Sequence, residues 1–494
     1  MYFLGYDVGS SSIKAALVNA KTHEAVHVVK YPDHEMPIDS PQKGWAEQNP
    51  EDWWKNLQMA TKQLLSEAGV DGKEVQSIGI AYQMHGLVLV DEKMEVLRPA
   101  IIWCDSRATA SADGAVSMLG EEYCLSHLLN LPGNFTASKL KWVEANEPEI
   151  YKRIHKFMLP GDFIAMKMTD RMNTTIGGLS EGVFWDFESN RFSTELMNSL
   201  GLPDRLVPTV VDTIGHQGTL SESASKILGL KAGTPISYRA GDQPNNAMSL
   251  NVLKAGEVAA TAGTSGVIYG VTNEAIHDIK SRVNGFAHVN HTIDHASIGI
   301  LLCINGTGIQ YSWVRRMLDT TEKSYETIEQ EAAQIPVGSD GLICLPFGNG
   351  AERIFENKEI GSHLMGIDFN RHNKAHIYRA TLEGIAFAFA YGANLMKQMG
   401  MEIRTMKVGN DNLFQSSIFS ETLATTLDCT IEVFDTTGAA GAAKASGVGA
   451  GHLAELKEAM GKQDKIKTIE PAEHSGTYEK AYDLWVKKLE TQLK

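Results

Sequence analysis

Tyr6-Asp7-Val8-Gly9-Ser10-Ser11-Ser12 closes an apolar run at the start of the chain, and a second β-like run, Ile13-Lys14-Ala15-Ala16-Leu17-Val18, follows at once. The pattern reads as strand, tight polar turn, strand. A Walker-type phosphate loop is excluded, because it needs spaced glycines, a Gly-Lys-Ser/Thr and a helix after the turn. The same pattern returns at Val258-Ala259-Ala260-Thr261-Ala262-Gly263-Thr264-Ser265-Gly266, which leads into Val267-Ile268-Tyr269-Gly270-Val271. The two segments align without a gap. Asp7 falls on Thr261, Gly9 on Gly263, Ser10 on Thr264 and Ser11 on Ser265, a constant offset of 254 residues that is close to half the chain and points to two related halves.

Between and beyond the hairpins, helical and strand patterns alternate. Asn49-Pro50-Glu51-Asp52 combines a cap, a proline at the first helical position and acids in the first turn. It predicts a helix from residue 50 to about 68, stopped by Gly69. Residues 75–81 and 87–91 read as strands flanking Tyr82-Gln83-Met84-His85-Gly86. In the second half, residue 374 to about 399 reads as a long helix, apolar on most faces and buried between layers. Tyr478, Tyr482 and Trp485 fall at helical spacing and read as packing. The expected fold is α/β, two domains with a cleft between them, 1–249 and 250–494.

Composition narrows the function. The chain has 494 residues, 43% hydrophobic and 21% charged, enough for sizeable cores. With 45 Lys and Arg against 60 Asp and Glu, the formal net charge of −15 disfavours a general grip on nucleic acid or an anionic membrane. Cys104, Cys124, Cys303, Cys344 and Cys429 are scattered and show no C-x-x-C spacing, so reduced thiols in a cytoplasmic protein are expected. No basic leader and no run of 18 apolar residues is present, so the chain is expected to be neither secreted nor membrane-spanning.

Two turns rich in backbone N–H and hydroxyl donors, facing each other across a cleft, can hold a polyphosphate. Gly9, Ser10 and Ser11 would serve on one side and Gly263 with Thr264 on the other, while Lys14 adds a counter-charge. Asp7 at the mouth of the first turn suits a hydrated Mg²⁺. Asp242, in Arg239-Ala240-Gly241-Asp242-Gln243-Pro244, stands at a strand end, where it reads either as a general base or as a helix cap. His85 at its loop tip reads as a partner for a sugar hydroxyl or as a solvated side chain. Trp103 and Asp105, in Ile102-Trp103-Cys104-Asp105-Ser106-Arg107, offer an aromatic face and a polar anchor, or an Asp–Arg ion pair. Gly409-Asn410-Asp411-Asn412 precedes a helix from about residue 415. The run Gly438-Ala439-Ala440-Gly441-Ala442-Ala443 would let a flat ring approach backbone, or pack a helix closely.

In chain order these signals resemble the FGGY family of carbohydrate kinases, in particular its xylulokinase-like members. The resemblance spans essentially the whole chain and rests on Gly5-Tyr6-Asp7-Val8-Gly9-Ser10-Ser11-Ser12, Gly44-Trp45-Ala46-Glu47-Gln48-Asn49-Pro50, Gln83-Met84-His85-Gly86, Trp103-Cys104-Asp105-Ser106-Arg107, Gly241-Asp242-Gln243, Gly263-Thr264-Ser265-Gly266, Glu352-Arg353 and Arg379-Ala380-Thr381-Leu382-Glu383-Gly384. It implies an actin- and hexokinase-type, ribonuclease H-like fold with ATP in the cleft and sugar mainly against the first domain. It implies Asp242 as catalytic base and Asp7 as the Mg²⁺-side carboxylate. Met84, His85, Trp103, Asp242 and Gln243 would meet the sugar. Gly9, Ser10, Ser11, Lys14, Gly263, Thr264, Gly409 and Asn410 would meet ATP.

Met84-His85 stands where glycerol kinases carry Arg-Glu, which argues against glycerol. Asn410-Asp411-Asn412 departs from the family's adenosine-side glycine run, and Asp242-Gln243 resembles the Asp-Gln of glycerol kinases rather than the Asp-Asn of xylulokinases. The expected reaction is phosphorylation of D-xylulose to D-xylulose 5-phosphate. L-ribulose, L-fuculose or glycerol kinase activity, and a non-kinase ATPase of the actin or chaperone type, remain as alternatives. A homodimer is common among family relatives.

Overall fold

In the computed structural model, which describes residues 1–318, 323–461 and 464–494, the two hairpins occupy equivalent places in two sheets. Tyr2–Val8 pairs antiparallel with Ile13–Asn19, placing Asp7 opposite Lys14. Val258–Ala262 pairs antiparallel with Gly266–Thr272. The first sheet runs Ile214–Thr219, Pro235–Gly241, Val75–Tyr82, Tyr2–Val8, Ile13–Asn19, Ala25–Tyr31. The second runs Lys465–Ile469, Thr430–Phe434, Thr405–Gly409, Val258–Ala262, Gly266–Thr272, Ile298–Ile304, with Asn284–Ala287 added at the edge.

Strand directions match as well as order. In each sheet the first hairpin strand is parallel to the next two strands on one side, an antiparallel strand closes that side, and two antiparallel strands follow on the other. The repeat of 254 residues thus marks two halves of one topology, and the expected α/β fold is the observed one.

Helices form where the local signals are strongest. In Pro50–Ala68 the Asn49 side chain accepts from the Glu51 N–H at 3.2 Å, and Gly69 at φ +64 returns its N–H to the last turn. Trp53, Leu57, Ala60 and Leu64 recur every three or four residues and bury one face against the first sheet. Lys374–Gln398 is buried on nearly every face because the second sheet, the hairpin Ile343–Phe347 and the helices Ser417–Leu427 and Ser475–Leu493 surround it. Trp485 donates from Nε1 to the Cys344 carbonyl at 2.8 Å, so the tail aromatics are packing, as read.

Two expectations need correction or a choice. Of residues 87–91 only Val88–Val90 is strand, and it pairs with Lys156–Met158 outside both main sheets. The run from 438 is the helix Gly438–Gly449, which belongs to the second half yet lies on the first sheet. A β-carbon on Gly5 would lie 1.9 Å from the Ala439 carbonyl oxygen, and one on Gly79 would lie 2.0 Å from that of Ala442. Close helix packing therefore accounts for this run, because backbone rests on backbone there. Ser77 Oγ meets Ser446 Oγ at 2.7 Å and Ser237 Oγ donates to the Ser446 carbonyl at 2.8 Å, which satisfies polar groups inside the seam.

Gly79→Ala should therefore lower stability by about 1–3 kcal/mol, since no side-chain rotation can clear a backbone carbonyl. Denaturant melts of the two proteins check this, and an unchanged midpoint would mean that the helix withdraws at no cost.

Candidate active site at the junction of the halves

The strand Pro235–Gly241 ends at the cleft, and Asp242 is the first residue of the helix Asp242–Ser249. Gly241 occupies the cap position, and no side chain caps that helix. Asp242 thus stands at the helix start, one position after the cap, with its carboxyl engaging the Gln243 backbone. Asp242 is half-buried. Burial, and then the neighbouring Asp7, push it up to about 7, while Gln243 pulls it down through backbone and side-chain hydrogen bonds. Asp7 is itself raised by burial, with Lys14 across the strand pair working the other way.

Met84 lies against Gly241, the residue before Asp242, and Trp103 lies near Ser10 of the first turn. Gln83 N–H donates to the Val8 carbonyl at 2.9 Å, which sets the 83–86 tip against the first turn. Met84 is buried against Gly241, where a β-carbon would lie 2.5 Å from Met84 Cγ and 2.4 Å from Glu181 Oε2. His85 packs between Phe135 and Phe286, with ring centroids at 4.9 and 5.3 Å. Trp103 is 53% exposed, and its Nε1 lies 3.4 Å from Ser10 Oγ.

Asp105 takes the ion-pair reading. It is fully buried, meets Arg107 Nη2 at 2.6 Å, and accepts from the Ala46 N–H at 2.6 Å. Arg107 also reaches Glu47 at 2.7 Å and lies over Trp45 at 3.8 Å. Gly44-Trp45-Ala46-Glu47 is thus part of the scaffold that holds the Trp103 loop.

Gly263 and Thr264 line a cavity of about 760 Å³ with Gly308, Ile309, Tyr311, Tyr325, Glu329, Asn412, Leu413 and Ser416. The turn is braced from behind, where Gly308 N–H donates to the Gly263 carbonyl at 2.9 Å and Thr307 Oγ1 donates to it at 3.0 Å. Ser11 and Lys14 are exposed beside the first turn. Gly409 ends its strand and the Asn410 N–H donates to the Phe434 carbonyl at 2.9 Å, so Asn412 and Leu413, not Gly409 and Asn410, form the nearby cavity wall. No group of three or more His, Cys, Asp or Glu side chains is clustered to hold a metal among the described residues. Asp7 and Asp242 fit Mg²⁺, which takes a carboxylate or two and fills its shell with phosphate oxygens and water.

Several residues escaped the sequence reading. Glu181 is buried beneath Met84 and His85, and burial with Asp242 and Asp162 nearby pushes its carboxyl well above the usual range. Lys139, fully buried, donates from Nζ to the carbonyls of His85 at 2.8 Å and Ile102 at 3.1 Å. Arg353 bonds Asn284 and is close enough to His85 and Cys303 to act on their charges. Glu352-Arg353 stood out only as a motif, and nothing local distinguishes Glu181 or Lys139 from ordinary helix residues.

At Gly263 a β-carbon would meet nothing nearer than 3.8 Å. Gly263→Val should therefore fold while its branched side chain blocks the approach of phosphate, weakening ATP binding with sugar binding retained; calorimetry showing unchanged ATP affinity would remove the turn from the nucleotide site. A second outcome follows from Asp242. Its folded pKa of about 7 lies above the unfolded value, so its protonated form contributes stability at acid pH that is lost as pH rises through 7. Asp242→Asn should melt above the parent at about pH 8, and the gap should close toward about pH 4, where both side chains are neutral.

Comparison with known proteins covers both halves. The model of the N-terminal domain of the FGGY family of carbohydrate kinases matches residues 2–249, and that of its C-terminal domain matches residues 258–450. The xylulose kinase of Bacillus subtilis (strain 168) is 30% identical over 410 residues, 82% of this chain and 79% of that protein. The xylulose kinase of Escherichia coli (strain K12) is 26% identical over 400 residues, 81% of this chain and 80% of that one. Among solved structures, the xylulose kinase from Rhodospirillum rubrum superposes with a TM-score of 0.89 at 24% identity, covering 99% of both chains. Plasmodium falciparum glycerol kinase with ADP gives 0.86 at 18% identity, covering 100% of this chain and 98% of that one. At these identities the structural likenesses speak for fold alone.

Proposed function

This chain belongs to the FGGY family of carbohydrate kinases, and on that premise we propose that it transfers the γ-phosphoryl group of ATP to D-xylulose, giving D-xylulose 5-phosphate. The observation that carries the reading is the place of Asp242, at a strand end beside Asp7 on one side and the Met84-His85 tip on the other. The Met84-His85 pair, where glycerol kinases carry Arg-Glu, and the relatives named xylulose kinase support the choice of a ketopentose.

In this reading Asp242 accepts the proton of a primary hydroxyl as that oxygen attacks the γ-phosphorus, and Gln243 orients the carboxyl. Phosphoryl transfer is catalysed chiefly by positioning and by charge neutralisation. The Gly9–Ser11 and Gly263–Thr264 turns offer N–H and hydroxyl donors to the phosphates, and Asp7 holds the metal side. Mg²⁺, when bound, supplies positive charge to the phosphate oxygens. Met84, His85 and Trp103 enclose the sugar against the first half. The two domains, divided near residue 250, would exclude water when they close on it.

ADP release measured across ketoses and polyols tests the acceptor. D-xylulose should turn over fastest and only with Mg²⁺; faster turnover of glycerol, L-ribulose or L-fuculose would overturn the sugar assignment and leave the kinase class standing. Asp242→Asn should bind sugar and nucleotide but lose about 10²- to 10⁴-fold in kcat. A near-parental kcat would take Asp242 out of the chemistry.

A further inference from the structure

His85 is a non-glycine residue at φ +63, a left-handed conformation that persists only where the surroundings hold it. Three of its polar atoms are engaged. Its N–H donates to Glu181 Oε1 at 3.4 Å, its carbonyl accepts from Lys139 Nζ at 2.8 Å, and its Nδ1 lies 2.8 Å from the Glu181 carbonyl oxygen. A carbonyl can only accept, so Nδ1 carries the ring proton and Nε2 is left as a bare acceptor. Among the described residues Nε2 has no hydrogen-bond partner.

Lys139 sits on the inner face of the helix Thr136–Asn146, fully buried, with its ammonium shared between the His85 and Ile102 carbonyls. One cation therefore ties together the two loops that carry His85 and Trp103. Burial pulls the Lys139 amine down to about 7, with Asp105 and Glu181 working the other way, and a buried amine is costly to keep where packing alone would be better served by an apolar chain.

We propose that Lys139 and Glu181 are positioning residues for substrate recognition: they hold His85 in its left-handed conformation as the Nδ1–H tautomer, so that Nε2 accepts from a hydroxyl which the substrate must donate. The proposal rests on the sugar-kinase reading above and deepens it. It makes the site selective for an acceptor sugar bearing a free hydroxyl opposite His85, and it explains why two residues remote in sequence are buried beneath the tip. The groups facing the ring are Glu181, the cations Lys139 and Arg353, and the uncharged rings of Phe135 and Phe286. Burial and the two cations hold the imidazole down at about 3, so it stays neutral throughout the working range.

Nitrogen-15 histidine spectra of the ligand-free full chain, assigned by comparison with His85→Gln, test the cradle without any substrate. The expected result is a neutral Nδ1–H ring that does not titrate between about pH 8 and 5. An Nε2–H tautomer, or titration near the ordinary histidine value, would overturn the proposal. Lys139→Met should raise the KM for the sugar about tenfold or more, with the KM for ATP unchanged within about twofold. Glu181→Ala should do the same, while Glu181→Gln, which keeps an acceptor oxygen for the His85 N–H, should stay within about threefold of the parent. An unchanged sugar KM in folded Lys139→Met would also overturn it, and if that variant does not fold, the spectra and the Glu181 pair still decide. Failure of D-xylulose in the substrate panel would instead strike the function reading, since the spectra need no acceptor.

Discussion

The close seating of the helix Gly438–Gly449 on the first sheet depends on two missing β-carbons. At Gly5 and Gly79 the helix Gly438–Gly449 lies so close to the first sheet that any side chain would strike its backbone carbonyls. Dispersion and the shared serine hydrogen bonds act at this short range and would weaken with even a small separation. The helix start is placed by the same seam: Asn245 Nδ2 donates to the Gly438 carbonyl at 3.0 Å, and a β-carbon on Gly438 would lie 3.2 Å from Asp7 Oδ2. The seam thus brings the second half up to Asp7 and sets the line from which the cleft opens.

The electrostatics of the site follow from that closure. Asp7, Asp242 and Glu181 are raised mainly by burial, and two of them also by one another's charge or that of a neighbouring carboxylate. Asp162, one of the carboxylates that raise Glu181, is itself buried and paired at 2.9 Å with Arg239 on the first sheet. Carboxyls crowded in this way gain from a cation at the cleft surface, which is the environment that a metal-nucleotide substrate brings with it. The same crowding explains the glycine at 241, since the backbone must pass between Met84 and Glu181 to deliver Asp242.

Much of the scaffold is legible from neighbouring residues. The hairpins at Asp7 and Thr261, the helix Pro50–Ala68 with its asparagine cap and glycine stop, and the long buried helix Lys374–Gln398 all stand where spacing places them. The loops carrying Met84, His85 and Trp103 and the strand end before Asp242 are legible as such, and the structure packs Met84 on Gly241 and ties the His85 and Ile102 carbonyls together through Lys139. Asp105 was undecided between anchor and ion pair, because the sequence does not say that Arg107, Glu47 and the Ala46 N–H converge on it. Gly409 resembles the start of a nucleotide-side glycine run that Asn410-Asp411-Asn412 replaces; in the structure it ends an interior strand of the second sheet, the Asn410 N–H bonds the Phe434 carbonyl, and Asn412 and Leu413 line the nearby cavity.

What the sequence by itself determined is local or repetitive: caps, turns, periodic apolar faces and a pattern that recurs at a fixed offset. Each of these depends on residues within a turn or two of one another, so spacing alone reveals it. Only the tertiary structure decided that a small-residue helix from the second half seals the first sheet, that Lys139 and Glu181 meet His85, and that Asp242 titrates near neutrality. Those depend on which surfaces mate and on how much protein surrounds a charge. An apolar helix announces its own burial, but how deeply a charged group is enclosed depends on the whole shell around it, which no stretch of neighbouring residues encodes.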